Sequence, residues 1–140
     1  MNGKGQTTVE TAISIILLFL LVFGITEFGR AMYIKNCLNN AARAGVRQAV
    51  VTRNLSGLPI SITSASDGGY PDIQTKVINS LFYMNTNNVT ATIENIDGNS
   101  TAQPGDNLKV TVTLSNFTSF VPKLITIGNT LIGSASMRYE

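Results

Sequence analysis

The chain has 140 residues, 44% of them apolar and 13% charged, with no histidine, one cysteine and a net charge of +2; this is enough for one domain and a membrane segment. Without histidine or a second cysteine, the Ser-His-Asp and Cys-His catalytic arrangements, Cys/His zinc sites and any intramolecular disulfide are excluded. The charged fraction is about half the roughly 25% of an average soluble domain, so much of the surface is expected to face something other than bulk water. The charges are also unevenly placed. Residues 1–53 hold six bases and two acids, net +4, whereas residues 54–140 hold four bases and six acids, net −2. The two parts are complementary and can attract each other or a neighbouring copy. The bases lie along one helical stretch with no interleaved stacking aromatics, which argues against nucleic acid.

Taken in chain order, Thr7-Thr8-Val9-Glu10 matches a capping box, in which Thr7 and Glu10 satisfy each other's backbone N–H groups at a helix start. Sixteen uncharged residues follow, from Thr11 to Thr26, about 24 Å of helix against a hydrocarbon core of about 30 Å. The run is apolar all round, so it requires lipid or a complete protein coat. Read instead as a secretory signal, it would need a small-x-small cleavage site, and Thr26-Glu27-Phe28-Gly29-Arg30 is a poor one. A carboxylate such as Glu10 beside this run costs about 2.5–3.5 kcal/mol at membrane depth unless it is paired, which sets a partner-binding role beside the capping one. Beyond Glu27, apolar residues from Phe28 to Ala49 recur at steps of three and four, with Arg30, Asn36, Asn39, Asn40, Arg43 and Arg47 opposite. One helix is therefore predicted from about Thr7 to Thr52, ending at Arg53-Asn54 before Ser56-Gly57-Leu58-Pro59. Ala41, Gly45 and Ala49 form a small-residue ridge suited to close backbone approach, with packing of the chain's own sheet preferred over a contact between chains.

Residues 54–140 read as a small α+β module. Pro71-Asp72 opens a short helix with Ile73, Val77, Ile78, Leu81 and Phe82 on one face, ending at Met84-Asn85. Three alternating segments, Val89 to Glu94, Leu108 to Ser115 and Leu131 to Arg138, predict a three-stranded antiparallel sheet, with Pro104 and Pro122 outside the strands. Cys37 reads as a small buried hydrophobe. Asp97-Gly98-Asn99 with Asp106 misses the spacing of a calcium loop and reads as a turn. The sequons at Asn54, Asn88, Asn99 and Asn116 are what a chain rich in Asn and Thr contains. Asp67 and Asp72 read as turn and capping residues rather than an acid–base pair, and no catalytic, cofactor or metal residue is assigned.

The N-terminal segment Met1 to Glu10 carries a further pattern: a short polar leader with Lys4, then Gly5, then Glu10 as the fifth residue after it, then the apolar run. It resembles the processing site of type IV prepilins. Glu27-Phe28-Gly29-Arg30-Ala31, Asn36 to Ala42, and Ala41 to Arg47 with Arg43 and Gly45, together with Ser134 to Glu140, resemble the TadE-like minor pilins or pseudopilins of tight-adherence pili. The resemblance implies a leader of residues 1–5, a helix of residues 6–53 and an exposed module of residues 54–140. It implies cleavage by a prepilin peptidase between Gly5 and Gln6, an assembly platform in the inner membrane, and other pilin subunits as partners. It also implies a module outside the cytoplasmic membrane and later a surface filament. Arg30, Lys35 and Arg43 outnumber Lys4 around the span, so the positive-inside rule alone gives the opposite orientation. Cleavage would create an α-amine on Gln6, mostly protonated at neutral pH with a reference pKa near 7.7–8.0, and Glu10 can pair with that amine on an adjacent subunit or within its own chain. Cyclisation of Gln6 would delete this charge and methylation would retain it. The alternative to a filament subunit is an extracytoplasmic binding module on a permanent signal anchor.

Overall fold

The computed structural model describes residues 3–81, 84–118 and 129–140, with side chains from residue 5 onward at the N-terminal end. Helix α1 spans Gly3–Val51, 49 residues, or about 73 Å at 1.5 Å per residue. It is followed by β1 (Ile60–Thr63), α2 (Pro71–Asn79), a 3-10 turn at Thr86–Asn88, β2 (Val89–Asn95), β3 (Asn107–Ser115) and β4 (Thr130–Arg138). The architecture is α+β, a long helix and a short one on one face of an antiparallel sheet ordered β1-β2-β3-β4.

The sheet has four strands, not the three expected. The additional strand, β1, pairs Ile60 with Ile93 and Ile62 with Ala91; its two isoleucines are buried while Ser61 is exposed. Four residues directly after Pro59 give only two periods of alternation, too few to distinguish a strand from a loop in sequence. Two boundaries also move. Since α1 begins at Gly3, Thr7 lies inside the helix and the expected capping box is not at its start. Helix α2 does open with Pro71 at its first turn, where a missing N–H costs nothing, but it stops at Asn79 rather than near Met84. Ser80 closes it by donating its hydroxyl to the Lys76 carbonyl, and the chain continues in turns that still bury Leu81. Phe82 and Pro122 fall outside the described residues, as do Met1 and Asn2 of the expected leader.

The core lies between α1 and the sheet. Leu38, Ala41, Ala42, Val46 and Ala49 of α1 meet Ile93, Leu108, Val110 and Val112 of the central strands, with Ile73 and Val77 of α2 closing the side. The opposite face of the sheet carries hydroxyls, with Thr92 opposite Thr111 and Thr90 opposite Thr113, and an ion pair of 3.0 Å between Lys109 and Glu94. At the end of α1, the Thr52 amide is shared between the carbonyls of Gln48 and Ala49, and Asn54 takes a left-handed φ of 60° that turns the chain away.

Two glycines let layers touch at backbone distance. A Cβ on Gly133 of β4 would stand 2.5 Å from the Asn39 nitrogen and 2.5 Å from the Leu38 carbonyl carbon. Beside it, the Ser134 amide donates to the Asn39 side-chain oxygen at 3.3 Å. Further along, the Tyr139 hydroxyl donates to the Thr52 carbonyl at 2.9 Å. Fourteen helical residues from Leu38 to Thr52 and six extended ones from Gly133 to Tyr139 both span about 20 Å, so β4 runs alongside α1. The sheet consequently has one end near Arg30 and the other near Thr52.

Candidate membrane and assembly helix

The helix changes its surroundings abruptly. From Val9 to Ile25 every large apolar side chain is exposed, among them Leu17 and Leu18 near 60% and Ile25 at 66%. This is the only described helix long and apolar enough to cross a membrane, and none of its apolar window is covered by protein. The two threonines bounding the run donate their hydroxyls back into the helix, Thr11 to the Thr7 carbonyl at 2.8 Å and Thr26 to the Val22 carbonyl at 2.9 Å. These bonds remove the cost of placing an unsatisfied hydroxyl in hydrocarbon. Phe19 and Phe23 stack one turn apart with ring centroids 6.2 Å from each other. Gly5, Gln6 and Glu10 are exposed on the first turns of the helix.

Packing begins at Glu27. Its side chain is buried, at 4% exposure the only buried charged residue among those described. The Arg30 guanidinium lies 3.6 Å from its carboxylate, donates to the Thr118 carbonyl at 2.7 Å and sits over the Phe117 ring at 4.7 Å. Arg30 thus joins the first turn beyond the apolar run to the chain leaving β3. An Arg fork can serve a carboxylate, a carbonyl and a ring face together, which a lysine cannot. Its surroundings open into a cavity of about 330 Å³ bordered by Tyr33, Ile34, Met84, Leu114 and Phe117. Phe28 and Gly29, the other members of the Glu27-to-Arg30 motif, are exposed.

The small-residue ridge faces inward. Ala41 and Ala49 are fully buried, and a Cβ on Gly45 would stand 2.8 Å from a Val77 methyl and 3.3 Å from a Val110 methyl. The ridge is therefore the seat of α2 and β3 of the same chain. Arg43 and Arg47 are exposed on the opposite side of the helix, with Lys35, Asn36 and Asn40. Cys37 is half-buried.

At the far end of the sheet Asp106 accepts from the side chains of Asn95 and Asn99 and from the Gln103 amide. These bonds, the Gln103 amide foremost, hold its carboxyl below the usual aspartate pKa. Asp97 accepts from the Asn107 amide at 2.6 Å, and Asp67 from the Gly69 amide at 2.8 Å; these acids act as turn formers. Among the described residues no group of three potential ligands is placed to hold a metal.

Sequence reasoning named Glu27 and Arg30 by resemblance and missed that they meet the chain after β3. The partners lie 88 residues away, and no local pattern carries that contact. No curated protein and no solved structure gives a match to the chain. Residues 5–47, the apolar run together with most of the packed half of α1, match the family model described as TadE-like protein.

Proposed function

We propose that the chain is a pilin-like structural subunit of a tight-adherence pilus, cleaved after Gly5 by a prepilin peptidase and assembled with other pilin subunits through its N-terminal helix. The observation that carries this reading is the division of one unbroken helix: apolar and bare up to Ile25, packed on its own module from Glu27 onward. Such a helix is held first by membrane lipid, with the module outside the cytoplasmic membrane, and then by neighbouring helices once the assembly platform extracts it. Lipid and neighbours are both apolar, so close packing supplies the driving force for the transfer. Glu10, exposed at the start of the run, pairs with the new Gln6 amine of an adjacent subunit, which neutralises both charges and sets the register. The role is structural and uses no cofactor.

N-terminal sequencing of the protein from membranes and from sheared surface filaments tests the reading. A start at Gln6 in both fractions is expected. A start at Met1 confined to membranes replaces the filament subunit with a permanently anchored binding module. Within the same experiment, Glu10→Gln is expected to be processed yet fail to enter filaments; normal incorporation removes the charge pair.

A further inference from the structure

The charge asymmetry of the sequence is not resolved inside the folded chain. Among the described residues the ion pairs are Arg30–Glu27 and Lys109–Glu94. Lys35, Arg43 and Arg47 lie exposed along the face of α1 that turns away from the sheet, and none of them forms an ion pair with an acid among the described residues. On the other side of the ledger, Asp97, Asp106 and Glu140 gather at one end of the sheet. The Asn107 amide donates to Asp97, and the Tyr139 amide donates to the Asp106 carbonyl, which brings Glu140 beside them. Two bases stand at the same end, Arg138 with its guanidinium 3.5 Å from where a Gly105 Cβ would lie and exposed Arg53 directly after Thr52. The three acids therefore leave this end a net charge of −1. This acidic rim is at the level of Thr52, fixed by the hydrogen bond from Tyr139. The basic face is lower on the helix. Arg47 and Arg43 are five and nine residues before Thr52, about 7.5 and 13.5 Å along the axis. Exposed apolar side chains flank the basic face, Met32 on one side and Val51 on the other, and they gain from being covered.

We propose that the Arg43–Arg47 face of one copy binds the Asp97, Asp106 and Glu140 rim of a second copy displaced about 10 Å toward the membrane along a parallel helix. The second copy is the occupant because the complementary charge is carried by this same chain, and because copies anchored through the same N-terminal helix are parallel. The proposal deepens the filament reading and rests on it for that orientation. Face and rim are different patches, so the contact is heterologous: each copy offers its rim to one neighbour and its basic face to another. A heterologous contact with an axial displacement does not close into a ring and propagates as an open helix. Charge pairs of this kind chiefly set register and exclude wrong alignments.

A photo-cross-linking residue at Asn40, exposed one turn from Arg43, tests this in the full-length chain expressed in membranes and filaments. A cross-linked dimer is expected whose partner peptide contains Asp97, Asp106 or Glu140. Arg43→Glu with Arg47→Glu is expected to lower its yield about five- to tenfold, the equivalent of losing two exposed pairs and gaining repulsion. Adding Asp97→Lys and Glu140→Lys should restore it. Because Asp97 also holds the Asn107 amide, Glu140→Lys alone serves as a second rescue variant. A cross-link to a different protein, a cross-link to the basic face of another copy, or a yield indifferent to charge reversal overturns the proposal. Filaments of normal abundance without the rim cross-link remove this interface and keep the filament. The rim cross-link in a chain that still starts at Met1 keeps the interface and removes the filament.

Discussion

The contact between Gly133 and α1 offers the sharpest stability test. Replacing Gly133 by alanine places a methyl 2.5 Å from two backbone atoms of Leu38 and Asn39 and 2.8 Å from the Leu38 Cβ. Ordinary Cβ contacts begin near 3.4 Å, so helix and strand must separate by about 1 Å, and neither neighbour is a side-chain end that can swing aside. Overpacking of this kind costs about 1–3 kcal/mol. Separation also stretches the Ser134–Asn39 hydrogen bond, worth about 0.5–1.5 kcal/mol. Gly133→Ala is therefore expected to lose about 2–4 kcal/mol, a large part of the 5–15 kcal/mol typical of a domain. Two other glycines calibrate it. At Gly45 the added methyl meets the methyls of buried valines at 2.8 and 3.3 Å, and the helix-propensity gain of about 1 kcal/mol offsets part of the crowding; Gly45→Ala should lose about 0–2 kcal/mol, less than Gly133→Ala. Gly29 has nothing within 4 Å, and Gly29→Ala should stabilise the helix by up to about 1 kcal/mol. Urea unfolding of the full chain in mild detergent reads this order through tyrosine fluorescence, since tryptophan is absent and Tyr139 is buried. A Gly133→Ala variant within about 0.5 kcal/mol of the parent would show that strand and helix do not touch as described.

Two further outcomes follow from the ends of the module. Arg30→Ala leaves Glu27 buried without its guanidinium and releases Thr118 and Phe117; with Arg30 itself 40% exposed, the expected loss is about 1–3 kcal/mol, with faster amide exchange at residues 115–118 and little change at residues 89–95. Uniform acceleration would refute the local role. At the other end, Asp106 has a lowered folded pKa, so its contribution is present above the unfolded value and is lost as pH falls through the folded one. Asp106→Asn should therefore be less stable than the parent at pH 7, with the gap closing below about pH 4; a gap that persists at pH 2.5 in thermal unfolding would contradict the assignment.

How far the sequence reveals this fold depends on the range of each signal. Helix α1 is legible because sixteen uncharged residues run directly into a three-and-four spacing continued to Ala49, a pattern too long to be accidental. Strands β2 and β3 are legible from Val89-Ala91-Ile93 and Leu108-Val110-Val112-Leu114. Strand β1 is not, because Ile60 and Ile62 gain their meaning only from Ile93 and Ala91 opposite. On the helix, Ala41, Gly45 and Ala49 announce a close neighbour without saying that it is Val77 and Val110. Glu27 reads as the end of an apolar run, and its burial depends on Arg30 reaching Thr118 across 88 positions. The Arg43 and Arg47 face and the Asp97 to Glu140 rim appear in sequence only as a difference in net charge. Their separation along the helix axis is a property of the fold.

The unbroken course of α1 from Gly3 to Val51 makes the molecule a continuous shaft with a flag attached to its C-terminal half. No proline or loop interrupts the helix between the bare half and the sheet, so the two share one helical phase. One residue added between Thr26 and Glu27 would turn the flag by about 100° and raise it by about 1.5 Å relative to the lipid-facing half. The spacing between the apolar run and the first packed turn is thus an angular setting, which decides the face that each module offers to the space around the shaft.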